Sequence, residues 1–286
     1  MNILKTGLLL SILTVLLVFV GQLIGGTQGA MTAFLFALGI NLLSYWFSDR
    51  LVLAMYRAKP LNEGEAPQVY RAVREIAARE QIPMPKLFWI PTQTPNAFAT
   101  GRNPRHASVA VTAGLLELVN EEELKGVLAH ELSHVKNRDT LIMTIAAALA
   151  GAIMMLARMA QWSLWFGGGR SRDEENRGAA ALQLVVVLLI AILAPLAATL
   201  IQLAISRTRE YSADTTGARL AGTPFGLASA LEKLNRATQD YPLPNANPAT
   251  AHLFIVNPLS GGTLAGLFST HPPITERVRR LRSMRF

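Results

Sequence analysis

Three residues near the middle of the chain have the types and spacing of a catalytic metal site. Residues 130–134 read His-Glu-Leu-Ser-His. On an α-helix His130 and His134 stand one turn apart on the same face, so both imidazoles can reach one metal ion. Glu131 is turned by about 100° from His130 and can act as a general base on water beside the metal. The motif predicts metal-assisted hydrolysis, with one zinc ion as the expected cofactor.

A catalytic zinc site needs a third protein ligand and a position left open for water. A third histidine soon after the motif would require a glycine at position 137 and a histidine at 140, where this chain has Asn137 and Thr140. A distant carboxylate must serve, and Glu210, in Arg-Glu-Tyr-Ser-Ala-Asp, is the candidate. Asp214 follows one turn later, where it could fix the tautomer of a ligand histidine through a hydrogen bond.

The helix that carries the motif has a clear predicted start. Asn120 is followed by Glu121, Glu122 and Glu123, which supplies a capping side chain, a capping-box glutamate and acids at the positive end of the helix dipole. An apolar stripe then faces the core; it consists of Leu124, Val127, Leu128 and Val135.

Four apolar stretches suggest helices that cross a membrane. They run from about Thr6 to Ile24, from Ala30 to Phe47, from Thr140 to Phe166 and from Ala179 to Ile205. If the last two form an antiparallel hairpin, His134 and Glu210 arrive at similar heights above the same membrane face. The alternatives are a cleaved signal peptide for the first stretch and buried core helices for the third and fourth; the Gly25–Gly29 linker favours an uncleaved hairpin at the start.

The composition agrees with a membrane protein. Of 286 residues, 51% are apolar and 16% charged, against roughly 25% charged in soluble domains, and the mean hydropathy is +0.30. The absence of cysteine excludes disulfides, cysteine-ligated zinc and thiol nucleophiles. The net charge of +8 fits anionic lipid headgroups better than nucleic acid, because no basic helix interleaved with stacking aromatics is present.

Short basic flanks predict the orientation. Lysines and arginines gather on one side of the four spans, whereas the other side receives the Gly25–Gly29 turn and the mixed-charge loop Gly167–Gly178. Both termini and both polar segments are therefore expected in the cytoplasm of a multi-pass cell-membrane protein.

The expected fold class is α+β, mainly helical, with four segments. They are a transmembrane hairpin (1–48), a first catalytic part (49–139), a second transmembrane hairpin (140–205) and a second catalytic part (206–286). Within the catalytic parts the patterns predict helices at Glu65–Gln81 and Thr275–Leu281, strands at Lys86–Ile90 and Ala107–Thr112, and an edge strand in Asn96–Gly101.

Taken together, HELSH, REYSAD, NAFATG (Asn96–Gly101) and STHPPITERV (Ser269–Val278) resemble the HtpX-type membrane-bound zinc metalloproteases, which are related to the CAAX-prenyl endopeptidases. The likeness covers almost the whole chain. It implies a zincin-like domain in the cytoplasm that cleaves misfolded or damaged membrane proteins during envelope stress. It also implies zinc ligation by His130, His134 and Glu210, with Glu131 as the catalytic glutamate.

Three further residues are candidates for handling substrate. The resemblance suggests that His271 and Arg277 contact the substrate or its developing oxyanion; two prolines would hold the His271 side chain rigidly. The structural alternatives are a loop histidine that caps the next helix and an arginine in a salt bridge. Asn96 could hydrogen-bond the main chain of a substrate paired with the edge strand, or it could simply form a turn after Pro95.

Three rival functions fit parts of the pattern. Intramembrane proteolysis conflicts with the charged residues on both sides of the motif, and a non-catalytic zinc scaffold conflicts with the intact Glu131. A specific processing protease, such as one that cleaves prenylated peptides, differs only in the number of sites it would cut in an unfolded substrate.

Overall fold

The computed structural model describes residues 2–147, 149, 207–240, 253–256 and 272–285. Most of the third and fourth apolar stretches, the loop between them and His271 lie outside the described residues, so the expectations for those segments stay predictions.

The first helix, α1 (Asn2–Met55), consists of two helices joined by a break. Gly25 and Gly26 leave the helical region, and the φ of +59° at Gly26 is one that favours glycine. A contact between the two helices shows that the chain reverses direction here. The Asn41 amide donates a hydrogen bond to the Thr14 hydroxyl at 2.9 Å. Residues 27 positions apart would lie about 40 Å apart in a straight helix, so α1 is an antiparallel hairpin.

Among the described residues, one helical segment, Gly25–Met55, is long and apolar enough to cross a membrane, and Thr6–Phe19 is a shorter apolar helix. Large apolar side chains are exposed along this hairpin, including Leu8, Phe34 and Phe36. The described residues therefore do not confirm the four predicted transmembrane helices. The start of the third stretch, residues 140–147, is helical and packs against the hairpin.

A four-stranded sheet follows the hairpin, in the spatial order β1-β2-β4-β3. The strands are β1 (Lys59–Pro60), β2 (Lys86–Ile90), β3 (Ala97–Thr100) and β4 (Ser108–Thr112). β2 and β4 are parallel, whereas β1 pairs with β2, and β3 with β4, in antiparallel fashion. The predicted strands in 86–90 and 107–112 are confirmed, and so is the edge position of the strand in 96–101.

Side chains alternate between the two faces of the sheet along each strand, and other parts of the protein cover both faces. Leu87 and Val109 belong to the main core with the helices, while Ile90, Phe98 and Ala110 face the end of α1 and residues 140–147. The sheet thus joins the apolar hairpin to the helical part of the protein.

Besides α1, the helical residues 140–147 and a short 3-10 helix at Pro104–His106, the structure describes six further α-helices. They are α2 (Pro67–Arg79), α3 (Ala113–Leu118), α4 (Glu121–Lys136), α5 (Arg207–Ala221), α6 (Phe225–Asp240) and α7 (Ile274–Arg282). The predicted helices at 65–81 and 275–281 are confirmed as α2 and α7. The fold is mainly helical with a small sheet.

Helix α4 lies at the centre and begins as the sequence predicts. Asn120 Oδ1 accepts a hydrogen bond from the Glu123 N–H, and Glu123 Oε2 accepts one from the Asn120 N–H, both at 2.9 Å. This capping box satisfies two backbone donors that the helix itself cannot. The apolar stripe of α4 is buried in the main core.

Glycines allow α4 to approach its neighbours closely. A Cβ on Gly217 of α5 would lie 2.8 Å from the backbone nitrogen of His130, and a Cβ on Gly126 of α4 would lie 2.5 Å from the backbone nitrogen of Leu227 in α6. Since real Cβ atoms do not approach backbone so closely, these glycines set the spacing of α5 and α6 from the motif helix.

Candidate metal centre and active site

Helix α4 presents the three motif residues in the protein interior. His130, Glu131 and His134 are 1%, 6% and 3% exposed. The two imidazole rings lie edge to face with centroids 4.9 Å apart, as one-turn spacing on a helix requires.

Helix α5 brings the distant carboxylate to the same point. Glu210 Oε1 lies 3.5 Å from His134 Nε2, and Glu210 Oε2 lies 3.7 Å from His130 Nε2. Glu210 is 2% exposed. The contact of Gly217 with the backbone of His130 explains how α5 comes close enough for this side chain to reach the motif.

The three side chains fit a zinc ion. One ligand atom from each of His130, His134 and Glu210 lies within 4.8 Å of the other two. Ligand atoms about 2.1 Å from zinc at tetrahedral angles lie about 3.4 Å apart, close to the observed 3.5 and 3.7 Å. Two imidazoles and one carboxylate are a usual donor set for catalytic zinc.

Each histidine meets an acid at its other ring nitrogen. Asp214 Oδ1 lies 3.0 Å from His130 Nδ1, and Asp139 Oδ2 lies 3.3 Å from His134 Nδ1. Acids in these positions hold the proton on Nδ1 and leave Nε2 as the ligand atom. The sequence predicts this role for Asp214, whereas the role of Asp139 becomes clear only in the structure. The available signal was a carboxylate five residues after His134, directly beyond the end of the helix.

The geometry of the helix end brings Asp139 back to the site. Arg138 has a φ of +58°, and the Asp139 N–H donates to the His134 carbonyl at 2.9 Å. This left-handed turn closes α4 and folds the Asp139 carboxylate against the imidazole one turn earlier.

The pKa values reflect a buried and strongly charged site. Burial lowers the pKa of His130. Burial also acts to lower the pKa of His134, but the hydrogen bond with Asp139 and the charge of Glu210 outweigh it and raise the value to about 9. Because a metal ligand must be deprotonated, the raised pKa of His134 couples metal binding to the release of a proton.

Arg277 of α7 lies behind this site. Its guanidinium donates from Nε and Nη2 to the two oxygens of Asp214 at 2.9 and 2.7 Å, and from Nη1 to the Ile255 carbonyl at 3.0 Å. Burial opposes ionisation of Asp214, but the charge of Arg277 and these hydrogen bonds outweigh it and lower the pKa of Asp214 to about 2. These contacts show that Arg277 forms the salt bridge that was the structural alternative for this residue. Arg277 is 0% exposed, and a contact between Arg277 and substrate stays a prediction.

Asn96 is likewise bound to the chain itself. Its side-chain oxygen accepts a hydrogen bond from the Ile255 N–H at 3.0 Å, and the residue is 1% exposed. Asn96 and Arg277 therefore hold residues 253–256 from two sides. Contact of Asn96 with a substrate main chain also stays a prediction.

The edge strand β3 touches the general-base candidate. The Ala99 N–H donates to Glu131 Oε2 at 2.9 Å, so this N–H points away from β4 and towards the motif. Burial raises the pKa of Glu131 to about 7, against the opposing charge of His134. Sequence patterns alone contain no signal for this contact, because any residue can supply a backbone N–H.

A small cavity of about 10 Å³ opens beside the metal ligands, room for about one water molecule or ion. The wall opposite the ligands is apolar; it is formed by Phe98, Met143, Leu253, Phe254 and Ile255. The structure thus brings together seven of the eight predicted site residues, and the eighth, His271, lies outside the described residues.

Comparisons with known proteins find a family model and several relatives that match most of the chain. The family described as Peptidase family M48 matches residues 63–285. A protein named Protease HtpX homolog from Syntrophobacter fumaroxidans is 60% identical over 280 residues, which cover 98% of each chain. Proteins of the same name from Thermococcus sibiricus and Pyrococcus furiosus are each 56% identical, over 98% of this chain and 95% of theirs.

Among solved structures, the crystal structure of S. mikatae Ste24p matches with a TM-score of 0.48 and 20% sequence identity. The match covers 88% of this chain and 57% of that chain.

Proposed function

Because the chain belongs to peptidase family M48 and is a metalloprotease, we propose that it is a zinc-dependent endopeptidase that cleaves misfolded or damaged membrane proteins. The observation that carries the proposal is the buried cluster of His130, His134 and Glu210, whose ligand atoms converge within 4.8 Å beside Glu131.

His130, His134 and Glu210 hold one zinc ion in this proposal, and Asp214 and Asp139 orient the two histidines. A bound zinc ion supplies Lewis-acid polarisation of a peptide carbonyl and makes water more acidic. The protein supplies three ligands on two helices and excludes bulk water, since none of the ligands is more than 3% exposed.

Glu131 acts in this proposal as the general base that accepts a proton from the attacking water. Its Oε2 is held by the Ala99 N–H, which leaves Oε1 to take a proton from the attacking water and pass it to the leaving amine. Removing the carboxylate while keeping the side-chain shape should therefore abolish peptide hydrolysis and leave the metal site in place.

The substrate lies along β3 in this proposal. β3 is at the end of the sheet, and an extended peptide can pair with such an edge with little dependence on its sequence. His271 shares the charge of the oxyanion. Asn96 and Arg277, whose own contacts are inside the chain, act on substrate through residues 253–256, which line the cavity.

The location proposed for the enzyme is the cell membrane, with four spans, the domain limits given above and the catalytic parts in the cytoplasm. The antiparallel hairpin with its exposed apolar surface supports this location, as does the long apolar segment Gly25–Met55. Unfolded loops of other membrane proteins would then be the nearest substrates.

The test compares zinc-loaded wild type with Glu131→Gln in cleavage of an unfolded protein, both purified in detergent. We expect the variant to keep its zinc and to lose about 100- to 10,000-fold in rate, because the general base and its proton transfer are both removed. Glu122→Gln is the matched control, since Glu122 is exposed on the same helix.

Three results would be informative. Equal cutting by wild type and Glu131→Gln would contradict the role of Glu131. Zinc-loaded wild type that cuts no unfolded protein would favour a scaffold, and cutting at one site alone would favour a specific processing protease.

A further inference from the structure

The C-terminal part of the apolar segment Gly25–Met55 carries a cluster of exposed aromatic side chains. Tyr45, Trp46 and Phe47 are 38%, 50% and 46% exposed. The Arg102 guanidinium lies 4.3 Å from the centre of the Trp46 ring, and the Arg50 guanidinium lies 5.5 Å from that of Phe47. Aromatic rings beside basic groups are typical of the interface between hydrocarbon and headgroups.

The fold fixes the position of Arg102. Arg102 follows Gly101, whose φ of +127° is open to glycine and strained for other residues. The turn is closed by Asn103, whose side-chain oxygen accepts a hydrogen bond from the His106 N–H at 3.1 Å. The guanidinium is therefore held against Trp46 by a defined turn that starts where the edge strand β3 ends.

The basic groups at this end of the molecule differ from many of those elsewhere in the described residues. On the helices away from α1, many surface cations are paired with carboxylates; the pairs are Arg71–Glu121, Arg74–Glu63, Arg79–Glu75, Lys125–Glu75, Lys136–Glu80, Lys233–Glu123, Arg279–Glu276, Arg280–Glu276 and Arg282–Glu232. Arg50, Arg102 and Arg105 form no ion pair within the described parts of the chain. Arg50 and Arg105 are exposed and Arg102 is half-buried, so an anion from outside the protein can approach these guanidinium groups.

We propose that Arg102, next to Trp46, and Arg50, next to Phe47, bind anionic phospholipid through its phosphate at the membrane surface. The inference rests on the membrane location proposed above. A phospholipid fits both the apolar and the basic part of this surface. Its acyl chains can cover the exposed apolar side chains of the helix, while its phosphate contacts the guanidinium groups. Guanidinium groups are well suited to phosphate, to which they donate parallel hydrogen bonds.

The proposed lipid site has a consequence for the active site. Arg102 is two residues from the end of β3, and Ala99 of the same strand donates to Glu131. A lipid held by Arg102 therefore fixes the height of the substrate-binding edge above the membrane. Unfolded segments that emerge from the bilayer would meet this edge first.

The test measures lipid binding by the full-length protein purified in a neutral detergent. Phosphatidylglycerol or phosphatidylcholine is added, and bound lipid is quantified by native mass spectrometry. We expect wild type to prefer phosphatidylglycerol and to lose this preference as salt is raised. Arg50→Gln and Arg102→Gln should each weaken phosphatidylglycerol binding about fivefold, and the double variant about 25-fold if the two effects add.

Two controls make the result specific. Arg74→Gln removes an exposed arginine that already pairs with Glu63 and should leave lipid binding unchanged. Arg102→Lys keeps the charge and should retain more binding than Arg102→Gln, which also guards against a variant that fails to fold.

Equal binding of the two lipids by wild type, or a double variant within twofold of wild type, would overturn the proposal. The measurement involves no proteolysis, so its outcome is independent of the proposed role of Glu131. A protein that stays in solution without detergent would overturn the membrane location and this proposal with it.

Discussion

Arg277 and Asp214 form a two-point ion pair in the protein interior, with nitrogen–oxygen distances of 2.9 and 2.7 Å. Both side chains are at most 3% exposed. Asp214 Oδ1 also lies 3.0 Å from His130 Nδ1, so the pair connects α7 through α5 to a proposed metal ligand.

Arg277→Gln should destabilise the protein strongly. Removing one partner leaves the Asp214 charge buried and uncompensated, which costs about 3–5 kcal/mol. The measurement is thermal unfolding in detergent. Arg282→Gln is the control, because its pair with Glu232 is 57% and 36% exposed and should contribute less than about 1 kcal/mol. Similar losses in both variants would contradict the structural role of Arg277.

Asp214→Asn and Asp139→Asn should each weaken zinc binding about 10–100-fold, because each removes the acceptor that orients a ligand histidine. Competition with a coloured chelator measures the affinity directly. Asp49→Asn is the control, because Asp49 lies on α1 and does not line the site. Its zinc affinity should equal that of wild type. Zinc affinity unchanged in both site variants would show that the histidines need no acidic partner.

Gly217→Ala should disturb the metal site without touching a ligand. The new methyl group would lie 2.8 Å from the backbone nitrogen of His130, so α5 must move away and carry Glu210 with it. We expect a loss of about 1–3 kcal/mol together with weaker zinc binding. Gly64→Ala, where a Cβ would meet no atom within 4 Å, should leave both unchanged. Wild-type zinc affinity in Gly217→Ala would disprove this explanation for the placement of Glu210.

Glu123 should make stability depend on pH. Burial opposes its ionisation, but hydrogen bonds from Lys233 and Ser229 outweigh it and lower its pKa below the ordinary 4.5. A lowered folded-state pKa stabilises the protein above pH 4.5, and this contribution is lost as the pH falls through the folded value. The difference in melting temperature between wild type and Glu123→Gln should thus be largest near neutral pH and shrink in acid. A difference that grows in acid would contradict the assignment.

The parts of the fold that depend on local sequence could be predicted. The capping box at Asn120, the strand at Lys86–Ile90 and the one-turn spacing of His130 and His134 each follow from residues close together in the chain. Glu210 could be proposed as the third ligand because the order of the apolar stretches predicts a hairpin. Such a hairpin returns the chain to the same membrane face as His134.

The contacts that depend on tertiary packing could not be predicted. The Ala99 N–H carries no sequence signature, and Asp139 reaches His134 only because Arg138 adopts a left-handed conformation. The partner of Arg277 could not be predicted either, since Asp214 lies 63 positions away and several other acids could have paired with Arg277.

The two halves of the metal site come from α4 and α5, with the whole of residues 140–205 between them. A ribosome therefore makes His130, Glu131 and His134 well before it makes Glu210. During that interval the emerging polypeptide has the proposed general base but lacks one of the three proposed ligands. If these roles are correct, the protein has no working proteolytic centre during its own synthesis, and it acquires one only when α5 has folded against α4.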